Sequence, residues 1–145
     1  MITVSSFGKV VAIAGVVAAM VGVSAVAQTT EKAQAQKVTV TLTKVPSAPP
    51  GENSFGDIAG VVKNAPAGSK VVLYSFGDTW YVQPYANAPF TEIGKDGKFS
   101  ATIHGGYKFA ALVVKSGYQP EATTGDLPKV GGNVLAVTTA PQRKP

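Results

Sequence analysis

From Lys37 onward the chain alternates apolar and polar side chains in short bursts. In the run 37–43, Val38, Val40 and Leu42 fall on one face and Thr39, Thr41 and Thr43 on the other, the period of two that marks a half-buried β-strand. Comparable runs recur at 58–62, 70–75, 80–83, 98–103, 109–115 and 134–138. Between them lies turn chemistry: Ala65-Pro-Ala-Gly68, Gly77-Asp78, Lys95-Asp-Gly-Lys98, Gly105-Gly106, Ser116-Gly117 and Gly131-Gly132. No segment beyond residue 36 carries a helical period of useful length. Seven short strands in about a hundred residues, with turns every eight to twelve, predict an all-β chain folded as a single antiparallel β-sandwich over 37–140.

The pattern also nominates a core. The stretch 109–114 (FAALVV) is continuously apolar, as a central strand is when both its faces are covered, or when a loop shields the outer one. Phe99, Ala101 and Ile103 share one face of their strand, leaving Ser100, Thr102 and His104 on the other. Phe99, Ile103, Leu112, Val114, Leu73, Val71, Val40 and Leu42 are the predicted core. The prolines in 45–51 (VPSAPPG) remove donors and fix φ, which predicts an extended crossing in place of regular structure.

The N-terminus reads differently. Lys9, the apolar run 10–23 and the triplet Ala25-Val26-Ala27 have the layout of a secretory signal peptide with an A-x-A cleavage site over residues 1–27. The stretch 10–27 approaches the ~18 apolar residues at which a membrane-spanning helix becomes feasible. Its Ala, Gly and Val composition and its peptidase-compatible end favour cleavage, which predicts a secreted or periplasmic protein with no membrane span after processing. Removing 27 residues from 145 leaves 118, one domain's worth of chain. Residues 28–36 (QTTEKAQAQ) have no apolar period and read as a flexible tether, and 141–145 as a disordered tail. The chain has no Cys, so neither disulfides nor lipid attachment at a cysteine is available to it.

Lys9 is the only charge in the leader, so the mature chain carries 12 basic against 8 acidic residues, a net of +4. The basic residues are scattered singly, Arg143 is the one arginine, and no basic stripe interleaves with aromatics. Nucleic acid is therefore not an expected partner. A weak attraction to anionic surfaces is what this charge supports.

Several strings together resemble a known group of modules. Ile58-Ala-Gly-Val61, Gly68-Ser-Lys-Val71-Val-Leu-Tyr74, Asp96-Gly-Lys-Phe99 and Gly117-Tyr118-x-Pro120 look like the carboxypeptidase-regulatory-like, transthyretin-like β-sandwich modules. Trp80-Tyr-Val-Gln-Pro84, Pro89-Phe-Thr-x-Ile93, His104-x-Gly106, Ala110-Ala-Leu-Val113 and Leu127-Pro-x-x-Gly-Gly132 are similar to a module of secreted and envelope proteins of soil bacteria. The resemblance spans roughly 38–137. It implies an immunoglobulin-like or transthyretin-like sandwich of about seven strands and an accessory role, and it carries no activity, because a shared fold does not confer a shared chemistry.

Candidate chemistry concentrates in 74–90, where Tyr74, Phe76, Trp80, Tyr81, Tyr85 and Phe90 are six of the chain's twelve aromatics. Strand alternation places Trp80 and Val82 on one face and Tyr81 and Gln83 on the other, so one of Trp80 and Tyr81 at most enters the core. An exposed aromatic flanked by amides such as Gln83 and Asn87 can stack on a sugar face or a peptide proline while the amides hydrogen-bond. The predicted ligand-binding set is thus Trp80, Tyr81, Gln83, Tyr85, Asn87 and Phe90. The structural alternative is that Trp80 plugs the sandwich and the tyrosines brace a Pro-rich loop, since large aromatics are mostly buried.

Catalytic constellations are sparse. His104 is the only histidine, and one imidazole does not make a zinc site, so it reads as a turn brace bonded to a loop carbonyl. No serine lies in a G-x-S-x-G elbow, no phosphate-cradling G-x-x-x-x-G-K-S/T loop is present, and the acids Asp57, Asp78, Asp96 and Asp126 sit in separate turns. The expectation is a non-catalytic extracytoplasmic binding module, with no cofactor and no metal, recognising a polysaccharide or protein at the cell envelope. The alternative is a structural or assembly subunit that pairs through exposed strand edges. Neither expectation fixes an oligomeric state.

Export should leave a mature N-terminus at Gln28. N-terminal sequencing of the exported protein checks this, and recovery only in membranes with Met1 retained would make the leader an anchor.

Overall fold

The computed structural model describes residues 36–144. The signal segment 1–27 and the tether, apart from Gln36, lie outside the described residues. Nine strands follow in order: β1 (Thr39–Lys44), β2 (Phe55–Lys63), β3 (Lys70–Phe76), β4 (Trp80–Gln83), β5 (Phe90–Thr91), β6 (Lys98–His104), β7 (Lys108–Val114), β8 (Thr123–Thr124) and β9 (Val134–Pro141). No helix occurs among the described residues. All pairings are antiparallel. A smaller sheet has the order β1-β2-β6, and a larger one the order β8-β4-β3-β7-β9, with β5 also on β3. The chain is a β-sandwich.

Each run with the period of two forms a strand, and 80–83 coincides with β4. The two strands without a sequence signal, β5 and β8, are two residues long, too short to show any period, and they form because β3 and β4 offer them an edge. β2 starts at Phe55, ahead of the expected 58, through Gly56 and Asp57, residue types that disfavour strands on their own. Pairing with β6 draws them in, Gly56 opposite Ile103 and Asp57 opposite Thr102.

The packing has two apolar layers. Between the sheets lie Val40, Ile58, Val62, Val71, Leu73, Phe99, Ile103, Phe109, Ala111 and Val113. On the outer face of the larger sheet a second cluster joins Val72, Tyr74, Trp80, Val82, Ala110, Leu112, Val114 and Val134, with Tyr118 and Leu127 packed over it from the connection 115–133. β3 and β7 are therefore apolar on both faces, which is why 109–114 shows no alternation. Of the predicted core, Leu42 alone is half-buried, at the rim of the first layer.

The covering connection is fastened by hydrogen bonds. The Tyr74 hydroxyl donates to the Glu121 carbonyl (3.1 Å), the Thr79 hydroxyl to the Thr124 carbonyl (2.7 Å) and the Val82 N–H to the Ala122 carbonyl (3.0 Å). Burial, with Tyr118 and Glu121 adding to it, pushes the Tyr74 phenol up to about 12.

The proline segment between β1 and β2 crosses the end of β6 as extended chain. It does so over Gly105 and Gly106, whose N–H groups donate to the Ser54 (2.7 Å) and Ala48 (3.2 Å) carbonyls. A Cβ on Gly105 would lie 2.1 Å from the Pro49 oxygen, so only glycine admits this crossing. The expected tail needs correction. β9 runs through Pro141, the Gln142 N–H donates to the Tyr107 carbonyl (2.9 Å) and its side-chain amide to the Ser47 carbonyl (2.8 Å), and the Arg143 N–H reaches Pro46 (3.3 Å). Backbone pairing holds this segment in place of apolar side chains, so a reading from hydrophobicity misses it.

Leu112→Ala should cost about 2–5 kcal/mol, because a fully buried leucine loses both transfer free energy and packing. Denaturant titration checks it, and a loss below about 1 kcal/mol would misplace the second layer.

Candidate functional site

The two sheets differ in width, and the difference makes a cleft. β4 belongs to the larger sheet and extends past β6, the edge strand of the smaller one. Side chains of β4 on the inter-sheet face, Tyr81 opposite Ser75 and Gln83 opposite Leu73, therefore lie at the margin of the smaller sheet, Gln83 against the end of β6 and Tyr81 more exposed. A cavity of about 820 Å³ opens there, walled by Tyr81, Tyr85, His104 and Tyr107 and by the proline segment at Pro50 and Glu52.

Gln83 ties the overhang to the edge. Its side chain is buried, 3% exposed, and its Oε1 accepts from the His104 backbone N–H (3.0 Å) and lies 3.1 Å from His104 Nδ1. A backbone N–H only donates, so the amide must present its oxygen here, and Nδ1, sharing that oxygen, carries the imidazole proton. His104 braces as expected, but its partner is a side-chain amide and not a loop carbonyl. Its ring packs against Phe55 (centroids 4.5 Å apart) and meets Tyr85 edge-on (6.3 Å).

Tyr81 is 41% exposed, Tyr85 57% and Tyr107 60%. Tyr81 is held by a hydrogen bond from its hydroxyl to Asp78 Oδ1 (2.8 Å), across the Gly77-Asp78 turn. That bond holds the Asp78 carboxyl below the usual carboxylate range and raises the Tyr81 phenol. Tyr85 stands on the short turn after β4, closed by the Ala88 N–H donating to the Tyr85 carbonyl (3.0 Å). Tyr107 is fixed at the start of β7 by its N–H on the Phe76 carbonyl (2.8 Å).

Of the six residues nominated from sequence, the structure brings Tyr81, Gln83 and Tyr85 into this cleft. Trp80 faces the other way, 8% exposed in the second apolar layer and tilted against Phe76 (5.0 Å). Phe90 pairs with Val72 and shares that outer face, and Asn87 is exposed in the turn outside the cleft lining. Tyr107, Glu52, Pro50 and Asp78 are the residues that sequence reasoning did not gather. The β3–β7 and β6–β2 pairings bring Tyr107, Pro50 and Glu52 beside Tyr81, whereas Asp78 reaches it locally, three residues away in the turn between β3 and β4. A cluster of three or more His, Asp or Glu side chains able to hold a metal does not occur among the described residues.

Tyr81→Phe should return the Asp78 carboxyl toward its ordinary value of 3.8, read by NMR titration of the side-chain carbon. A lowered folded-state value means a contribution to stability present above 3.8 and lost as pH falls through the depressed value, so the variant should lose this acid-side dependence. An unchanged Asp78 titration would detach the pair. Comparison with protein-family models, curated proteins and solved structures finds no match to this chain.

Proposed function

We propose that this protein is a non-catalytic binding module working outside the cytoplasm, which takes a carbohydrate or peptide polymer of the cell envelope into the cleft between β4 and the end of β6. The observation that carries this reading is the cavity of about 820 Å³ presenting Tyr81, Tyr85 and Tyr107 to solvent. Its volume is within the range of about 300–1,000 Å³ of small-ligand clefts. Tyrosines give large contact area at low entropic cost, with one apolar face and one polar tip each. Tyr81 is preset by Asp78 and Tyr85 by its turn and by His104, and the Tyr107 backbone is held on β3. A surface ordered before the ligand arrives loses less entropy on binding.

Assembly through strand edges has less support. The free edge of β6 is stoppered at both ends, where Gln83 takes the His104 N–H and the Gly94 N–H takes the Lys98 carbonyl (2.8 Å). On β9 the register turns Pro141 outward, since Gln142 bonds inward to Tyr107, and proline offers that edge no donor.

Tyr81→Ala combined with Tyr85→Ala should leave the melting temperature within a few degrees, because both side chains are largely solvent-exposed, and should abolish binding to whichever glycans or peptides the parent captures on arrays. Unfolding of the double variant, or undiminished capture, would make these tyrosines structural.

A further inference from the structure

Resting on the reading of the cleft as a binding surface, we infer that its ligand is an extended peptide segment bearing lysine or arginine side chains. Three features converge on this. First, the amides that would read sugar hydroxyls are not on offer. Gln83 Oε1 is occupied by two groups of His104, its Nε2 turns back to the Tyr81 carbonyl (3.5 Å), and Asn87 is outside the lining.

Second, the charge of the cleft opposes that of the chain. The whole sequence has a formal net charge of +5, yet the cleft is lined by two carboxylates, Glu52 and Asp78, and by no lysine or arginine. Asp78 Oδ1 accepts from Tyr81, while the Glu52 side chain makes no hydrogen bond or ion pair among the described residues. An anionic polymer gains nothing from this lining, and a cationic side chain gains a carboxylate.

Third, the apolar part of the wall suits the same ligand. The ring faces of Tyr81, Tyr85 and Tyr107 carry negative electrostatic potential and attract ammonium or guanidinium groups. Pro50 and Pro84 beside them give flat apolar walls for lysine or arginine stems, and aromatic-lined grooves are the surfaces on which extended, proline-containing peptides dock.

Titration of the full mature chain with a fluorescent peptide alternating lysine and proline, against one alternating glutamate and proline and against an oligomer of glucosamine, tests this. The lysine peptide should bind, weaken as salt is raised, and lose affinity by roughly fivefold to tenfold in Glu52→Gln with Asp78→Asn, the worth of two exposed ion pairs. The glutamate peptide should bind at least that much more weakly to the parent. Equal binding of the two peptides overturns the inference, as does a preference for the glucosamine oligomer or binding to none of the three. In those cases the cleft reading still stands or falls separately, on whether the tyrosine double variant loses its array ligands.

Discussion

The requirement that β3 and β7 be covered on both faces governs the rest of this structure. Val71 to Tyr74 and Phe109 to Val114 are all inaccessible to solvent or nearly so, alternate residues going to opposite sides. One side is met by the smaller sheet. The other needs a second cover, which the connection 115–133 supplies through Tyr118 and Leu127, pinned by Tyr74, Thr79 and Val82. At roughly 1.5–3 kcal/mol for each fully buried large aliphatic or aromatic side chain, the two layers are the main favourable term in a chain without cysteine.

The cleft follows from that covering. Trp80 has the larger apolar area of the Trp80-Tyr81 pair and belongs to the layer under the connection, so strand alternation sends Tyr81 to the inter-sheet side, where the smaller sheet has already ended. A polar residue placed there must find a partner, and Gln83 finds it on the unpaired edge of β6. The bond closes the gap between the sheets at one end and leaves it open toward Tyr81 and Tyr85. Gly105 completes the arrangement by letting the proline segment lie against β6, which delivers Pro50 and Glu52 to the far wall. A larger side chain at 105 would displace that wall without touching either apolar layer.

How much of this could be read from the sequence depends on the range of the interaction. Periodicity is local, so the seven longer strands, the burial of Phe99, Ile103 and Leu73, and the opposition of Trp80 and Tyr81 were all legible. β5 and β8 were not, because two residues have no period. The gathering of Tyr81, Tyr85, His104 and Tyr107 required knowing that β7 pairs with β3 and that β6 is an edge, information spread over more than thirty residues of chain. The aromatic concentration in 74–90 marked a segment that contributes Tyr81 and Tyr85 to the cleft but mixed two faces, and Trp80 and Phe90 went to the other one. The order of 142–143 was hidden for a related reason, since its partners, Tyr107, Ser47 and Pro46, are backbone carbonyls with no signature in side-chain pattern.

The division of labour between faces has a consequence for how the site can vary. Tyr81, Tyr85, Tyr107, Asp78 and Glu52 lie outside both apolar layers and are fixed by single hydrogen bonds, turns or strand ends. Gln83 is different: buried, doubly bonded to His104 and in contact with both sheets, it couples the cleft's geometry to the sandwich itself. Losing its oxygen would leave the His104 N–H without its protein partner at a half-buried position, a cost of about 1–3 kcal/mol where water does not replace it. The tyrosines and carboxylates of the cleft can therefore be replaced at little cost in stability, whereas the position of the cleft cannot change without disturbing the fold.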